Sequence, residues 1–235
     1  MKRIHPEVGE FVHAYSRGVD KRIVFLDEQD FARFFFYAGV LNHDKSKPTR
    51  AAEAPLTWRQ GSTLTEVVNN SFAMQNPLAD LCAFVQMGNH VHLLLREIIE
   101  GGIAKFMQRL FTAYTMYFNE RYERTGALFE GRYKSKIVET DEYLEIVLHY
   151  LHANPLPILR AMSGRVDKQP SELLSDYFWS SYSTYASHGK PQKFVARATI
   201  EAALGSMDSY AARIDDYAGK PLSTEKDFAA MLLDV

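Results

Sequence analysis

The chain has 235 residues, 46% of them hydrophobic and 13% aromatic, which supports a sizeable core and excludes global disorder. A formal net charge of −2 argues against a protein that coats nucleic acid indiscriminately. One cysteine, Cys82, excludes an internal disulfide and a cysteine-built zinc cage; no apolar run approaches the roughly 18 residues of a membrane span, and the opening MKRIHPEVGE lacks the apolar centre of a signal peptide, so a cytoplasmic protein is expected.

In chain order, GEFVHAYSRG (9–18) has strand character and closes on Gly18. LDEQDFARFFFYAGVLNH (26–43) reads as a helix capped by Asp27, with Phe31, Phe34, Phe35 and Leu41 on an apolar face that suits a core better than a stacking surface. Residues 44–76, broken by Pro48, Pro55 and Gly61, read as a surface insertion with a short helix near 63–69. Strands follow at 78–87 and 90–97, separated only by Gly88 and Asn89, which predicts an antiparallel hairpin. Ile103, Phe106, Met107, Leu110, Tyr114, Tyr117 and Phe118 recur at helical spacing across 103–124, and Thr125 and Gly126 end that helix. GRYKSKIVE (131–139) alternates as a strand does. Thr140 caps a helix over 141–154, with Asp141 and Glu142 suiting its dipole and Pro155 stopping it. Beyond 156 lie loops, the aromatic segment DYFWSSYSTYA (176–186) and a helical tail.

The order strand, helix, strand, strand, helix, strand, helix is the split βαβ plan of an α+β protein: a ferredoxin-like antiparallel sheet with one added helix. Charge is uneven along it. Residues 104–136 carry seven basic and three acidic groups, a balance of +4, whereas 195–235 carry four and seven, a balance of −3. Arg132, Lys134 and Lys136 alternate and so share one strand face, which equally describes a solvated outer face and a backbone-tracking stripe.

Two small patterns carry chemistry. His90 and His92 sit at i and i+2 on a strand, on one side and about 7 Å apart by strand rise, within reach of one divalent ion. A bare His-x-His is more simply a hydrogen-bonded pair on a half-buried strand. Tyr150 and Asn154 share one helix face, offering a phenol and an amide oxygen, although a rim tyrosine and a capping asparagine would look the same. Periodicity does not choose between these accounts.

GNHVHLLL, GRYKSKIVETDEYL, HYLHANP and WSSY, in that order, resemble the single-tyrosine transposases of the HUH class, meaning insertion-sequence transposases and, more closely, REP-associated tyrosine transposases. The resemblance runs from about residue 9 to residue 186. It implies a catalytic domain over 1–156, interrupted at about 44–76, and a C-terminal extension over 157–235. It implies Tyr150 as nucleophile and His90, His92 and Asn154 as ligands of Mg²⁺ or Mn²⁺. It also implies single-stranded DNA as substrate, with hairpin-containing element ends, cleaved and rejoined through a 5′-phosphotyrosine. Arg121, Arg124, Arg132, Lys134 and Lys136 are the candidate DNA contacts, no membrane is involved, and a homodimer is left open. His13 resembles a family histidine on the first strand but is not taken as a ligand; His149 and His152 are taken as supporting residues, His149 lying off the Tyr150 face. Gly88 stands where relatives often have proline, and Phe129 and Glu130 stand where many have a Trp-Gln pair; Glu130 would repel phosphate if it lined the groove. The rival readings are an HUH replication or conjugation nickase and a non-catalytic nucleic-acid-binding module.

Overall fold

The computed structural model describes residues 5–44, 76–164, 167–186, 192 and 194–219. Four strands, β1 (Phe11–Arg17), β2 (Ala79–Met87), β3 (His90–Glu97) and β4 (Lys134–Val138), form one sheet in the order β2-β3-β1-β4, and every neighbouring pair is antiparallel. Helix α1 (Glu28–Leu41) joins β1 to β2, α2 (Gly102–Arg121) joins β3 to β4, and α3 (Asp141–Ala153) follows β4. This is the ferredoxin-like order that the sequence predicts. The insertion expected at 44–76 and its helix lie, but for the two end residues, outside the described residues.

Local chemistry explains the boundaries. Asp27 caps α1 by accepting from the Asp30 backbone N–H, and Thr140 caps α3 by accepting from that of Tyr143. At the far end of α1, the Asn42 amide donates to the Ala79 carbonyl at 2.7 Å and accepts from the Leu78 and Ala79 N–H groups, fastening the helix to the start of β2. Helix α2 begins where only glycine fits: a Cβ on Gly102 would stand 1.9 Å from the Leu78 carbonyl oxygen. It ends at Arg121, three residues before the end the sequence predicts, because Glu123 turns left-handed (φ 50°).

The two faces of the sheet have different tasks. Val12, Ala14, Phe84, Leu93 and Leu95 are buried on one face, where Phe84 meets Phe35 of α1 edge-on. The pairing register puts His13, Tyr15 and Arg17 of β1 beside Leu94, His92 and His90 of β3, and beside Lys136 and Lys134 of β4, all on the other face. Helix α3 packs on that second face, with the Lys136 ammonium 5.1 Å from the Tyr143 ring centre.

A buried carboxylate locks α1 to α2. Asp30 is fully buried and accepts from the Tyr117 and Tyr122 hydroxyls, the Leu26 N–H and Arg121, whose guanidinium also pairs with Asp27. Replacing Asp30 by alanine orphans several buried donors at once, so Asp30→Ala is expected to cost about 3–5 kcal/mol of stability. Urea titration checks this; a loss under about 1 kcal/mol would show that water takes over these bonds.

Beyond α3 the sequence expectation needs correction. Pro155 ends the α3 ladder but does not lead into a loop: Asn154 and Pro155 keep right-handed helical dihedrals, and α4 (Leu156–Ser163) starts at once. Pro155 is the cap of that helix, its carbonyl accepting from the Leu159 N–H at 3.0 Å, and Pro157 in the first turn costs nothing, because its φ is already helical and its missing N–H would have no partner there. Short helices α5 (Pro170–Ser175), α6 (Tyr182–Tyr185), α7 (Arg197–Leu204) and α8 (Tyr210–Gly219) follow. Between them, residues 179–181 run along the outer edge of β2, with the Gln86 N–H bonded to the Trp179 carbonyl and the Ser181 N–H to that of Phe84. Ile200, Met207, Tyr210 and Ile214 are buried in the same core as the sheet. His152 ties these parts to α3: one ring nitrogen meets the Tyr210 hydroxyl at 2.6 Å and the other the Ser181 hydroxyl at 2.7 Å.

Candidate active site

The fold brings the four residues singled out in the sequence to one place. His90 and His92 project from the start of β3 with ring centres 5.1 Å apart. Tyr150 comes from the last turn but one of α3, half-buried, its ring edge-on to His92 at 5.5 Å. Asn154, at the end of the same helix, has its side chain near enough to His90 to favour the protonated imidazole. The alternation of a strand and the turn of a helix, each unremarkable alone, converge because α3 lies on the histidine face of the sheet.

A fifth residue joins them. His13 Nε2 lies 2.9 Å from His92 Nδ1, with the two rings stacked at 5.1 Å, and its ring stands 6.2 Å from that of Tyr150. Burial holds all three imidazoles neutral. His13 is pushed down to about 3 by burial and then by the Lys136 charge. His90 is pushed to about 4 by burial and then by Arg17, the Asn154 side chain opposing. His92 lies well below its ordinary value through burial and then the positive charge that His13, His90 and Arg17 would place beside it. Neutral imidazoles are the form that binds metal.

Among the described residues, no three histidine, cysteine or carboxylate side chains form a metal cluster. The Asn154 amide beside His90 is a further donor that could join the two imidazoles. Two neutral nitrogens and an amide oxygen fit a divalent cation of the Mn²⁺ or Mg²⁺ type.

Outside the histidines lies a cleft of about 140 Å³ lined by Tyr15, Ser16, Arg17, Lys21, His90, His92, Glu130, Arg132 and Lys134. Four cationic side chains face one carboxylate there. Lys134 also sits over the Tyr15 ring at 5.8 Å, and Tyr15 stacks on His92 at 5.6 Å. Glu130 lines the cleft, held by its N–H to the Arg17 carbonyl at 2.8 Å. Of the candidate DNA contacts, Arg132 and Lys134 line the cleft and Lys136 lies further along the same sheet face. Arg121 is engaged with Asp27 and Asp30, and Arg124 with Asn119 and the Phe118 ring. Trp179 packs on Phe31 at 4.9 Å, and Tyr133 packs against the core. His149 faces Tyr210 and Tyr217. Tyr15, Arg17 and Lys21 were not singled out in the sequence. The i, i+2 run His13, Tyr15, Arg17 was visible there, but only the register against β3 shows which face it shares.

An antiparallel ferredoxin-like sheet with a histidine pair facing a tyrosine helix defines the class. Residues 62–154, which hold all four residues, match the family model described as "Transposase IS200 like". No curated protein matches the chain. A solved structure described as a REP-associated tyrosine transposase bound to a REP hairpin is similar at 12% identity, covering 77% of this chain and 81% of that one, with a TM-score of 0.44.

Proposed function

We propose that the protein cleaves and rejoins single-stranded DNA, with Tyr150 as the nucleophile and His90, His92 and Asn154 as holders of Mg²⁺ or Mn²⁺. The observation that carries this reading is the convergence of the four side chains: Tyr150 against His92, and Asn154 beside His90, all on one face of the sheet. The match of residues 62–154 to a family model of transposases supports the same chemistry.

When bound, the cation would withdraw electron density from the non-bridging oxygens of the scissile phosphate and fix its orientation. Tyr150 Oη attacks the phosphorus and forms the Tyr–O–P bond as the bond to the 3′ oxygen breaks. The phenol proton leaves to solvent and the 3′ oxygen takes one up, giving a 5′-phosphotyrosine and a free 3′-hydroxyl. The phosphodiester energy is retained, so attack by a 3′-hydroxyl reverses the step without ATP. An ordinary phenol has a pKa near ~10 and is protonated at neutral pH, so α3 contributes chiefly by holding Tyr150 beside the phosphate.

The cationic cleft supplies the path for the strand. Arg17, Lys21, Arg132 and Lys134 would neutralise phosphates on either side of the scissile one, and Glu130 among them would keep the groove from gripping too strongly. A DNA substrate would place the protein in the cytoplasm, and hairpin-bearing ends are the substrates to try first. The Arg132→Ala, Lys134→Ala double variant is expected to flatten the dependence of log affinity on log salt by about 1.4, the share of two phosphate contacts on a single strand. Fluorescence anisotropy across a salt series measures this, and an unchanged slope removes both residues from the path.

The function itself is tested with a labelled hairpin-bearing single strand and Mn²⁺. The expected product is a protein–DNA adduct that survives SDS and fails to form with EDTA. Cleavage without an adduct would instead indicate a hydrolase using water, and binding without cleavage a non-catalytic module.

A further inference from the structure

We infer that His13 is a positioning residue that accepts the His92 Nδ1 proton and so holds His92 in the tautomer able to bind the metal; the inference rests on the reading of His90 and His92 as ligands. The two histidines of the pair are held differently. His90 Nδ1 lies 2.6 Å from the Asn89 side-chain oxygen, an atom that can only accept. The proton of His90 is thereby drawn to Nδ1, and Nε2 is left with a lone pair. His92 Nδ1 faces an imidazole, His13 Nε2, at 2.9 Å, and an imidazole nitrogen can donate or accept.

Only one of the two arrangements is useful. If His13 Nε2 carries the proton, His92 Nδ1 accepts, the His92 proton sits on Nε2, and the nitrogen remaining for a ligand is blocked. If His92 Nδ1 donates to His13, His92 Nε2 is open. The second arrangement puts the His13 proton on Nδ1, and that atom is buried with no partner among the described residues. Among the described residues no partner fixes the His13 proton, so a cation at His92 Nε2 would draw the pair into the second arrangement, in which His13 accepts. Both rings are almost wholly buried, 0% and 1% exposed, which keeps bulk water from taking either role. A side chain at position 13 that accepts without competing to donate would leave His92 in the binding form; one that cannot accept would release the Nδ1 proton from its partner. Second partners of ligating histidines of this kind change metal affinity by about 10–100-fold.

The experiment uses the full chain without DNA, as wild type, His13→Leu, His13→Gln and His90→Ala. Mn²⁺ affinity is measured by calorimetry, folding by circular dichroism, and imidazole tautomers by two-bond ¹H–¹⁵N correlation spectra of the Mg²⁺-loaded protein. We expect His92 protonated on Nδ1 in the wild type. We also expect Mn²⁺ binding weakened about 10–100-fold in His13→Leu and largely restored in His13→Gln, whose amide oxygen can accept. A folded His13→Leu with wild-type affinity, a folded His13→Gln no better than His13→Leu, or a loaded wild type with its His92 proton on Nε2 would each overturn the inference. Equal Mn²⁺ binding by wild type and His90→Ala would overturn the ligand reading on which it rests. If His13→Leu does not fold, the wild-type spectrum and His13→Gln still decide.

Discussion

Tyr150→Phe is expected to abolish the SDS-resistant protein–DNA adduct and lower strand cleavage by on the order of 10⁴-fold or more, the scale seen when a nucleophile is deleted from a preassembled site. The change removes one oxygen from a half-buried ring that sits edge-on to both His92 and His13. The ring itself stays, so the packing of α3 on the sheet is kept. Affinity for single-stranded DNA, which depends on cleft cations rather than the phenol, should remain within about threefold. Denaturing gels and anisotropy read the two quantities separately. An adduct of wild-type intensity would remove Tyr150 from its role, and loss of binding together with the adduct would make the ring a DNA contact instead.

Acidification is expected to unfold the protein through the loss of four buried neutral imidazoles. His13 and His152 lie at about 3, His90 at about 4 and His92 well below its ordinary value, burial being the largest cause in each. In the unfolded chain all four return to about 6.5. Between those limits the unfolded state binds more protons, so stability rises with pH and falls as pH drops below about 6.5 towards the folded values. Each histidine contributes a slope of up to about 1.4 kcal/mol per pH unit. Four together would be comparable with the whole stability of an ordinary domain over about two pH units. Thermal melts from pH 7.5 to 4.5 should show a steep fall in Tm beginning near 6.5, shallower by about a quarter in His152→Gln if that variant folds. A flat profile down to pH 5 would mean that these rings take up protons in the folded state.

The element order, the hairpin at Gly88–Asn89 and the caps at Asp27 and Thr140 could be read from sequence because each rests on local chemistry and hydrophobic period. The His90, His92, Tyr150 and Asn154 set could be named from its spacing together with the family resemblance. What could not be read depends on pieces distant in the chain. Tyr15 and Arg17 belong to the cleft only through the register of β1 against β3. Arg121, counted in the sequence among cations available for phosphate, is committed to a carboxylate on α1 that sits 91 positions earlier. His13 carries no local mark of its contact with His92, 79 positions away. Pro155 looked like a stop because a proline after a helix usually is one; the helical dihedrals of Asn154 and Pro155 make it the cap of the next helix instead.

His152 has a consequence for how strands would change places. Both sides of its ring are engaged, one by the segment along β2 and one by the last described helix, so the mount of the tyrosine is fastened to the sheet's far edge and to the tail together. A recombination cycle needs at least one travelling part. On the function proposed above, a tyrosine helix fastened in this way would leave the nucleic acid as the part that travels.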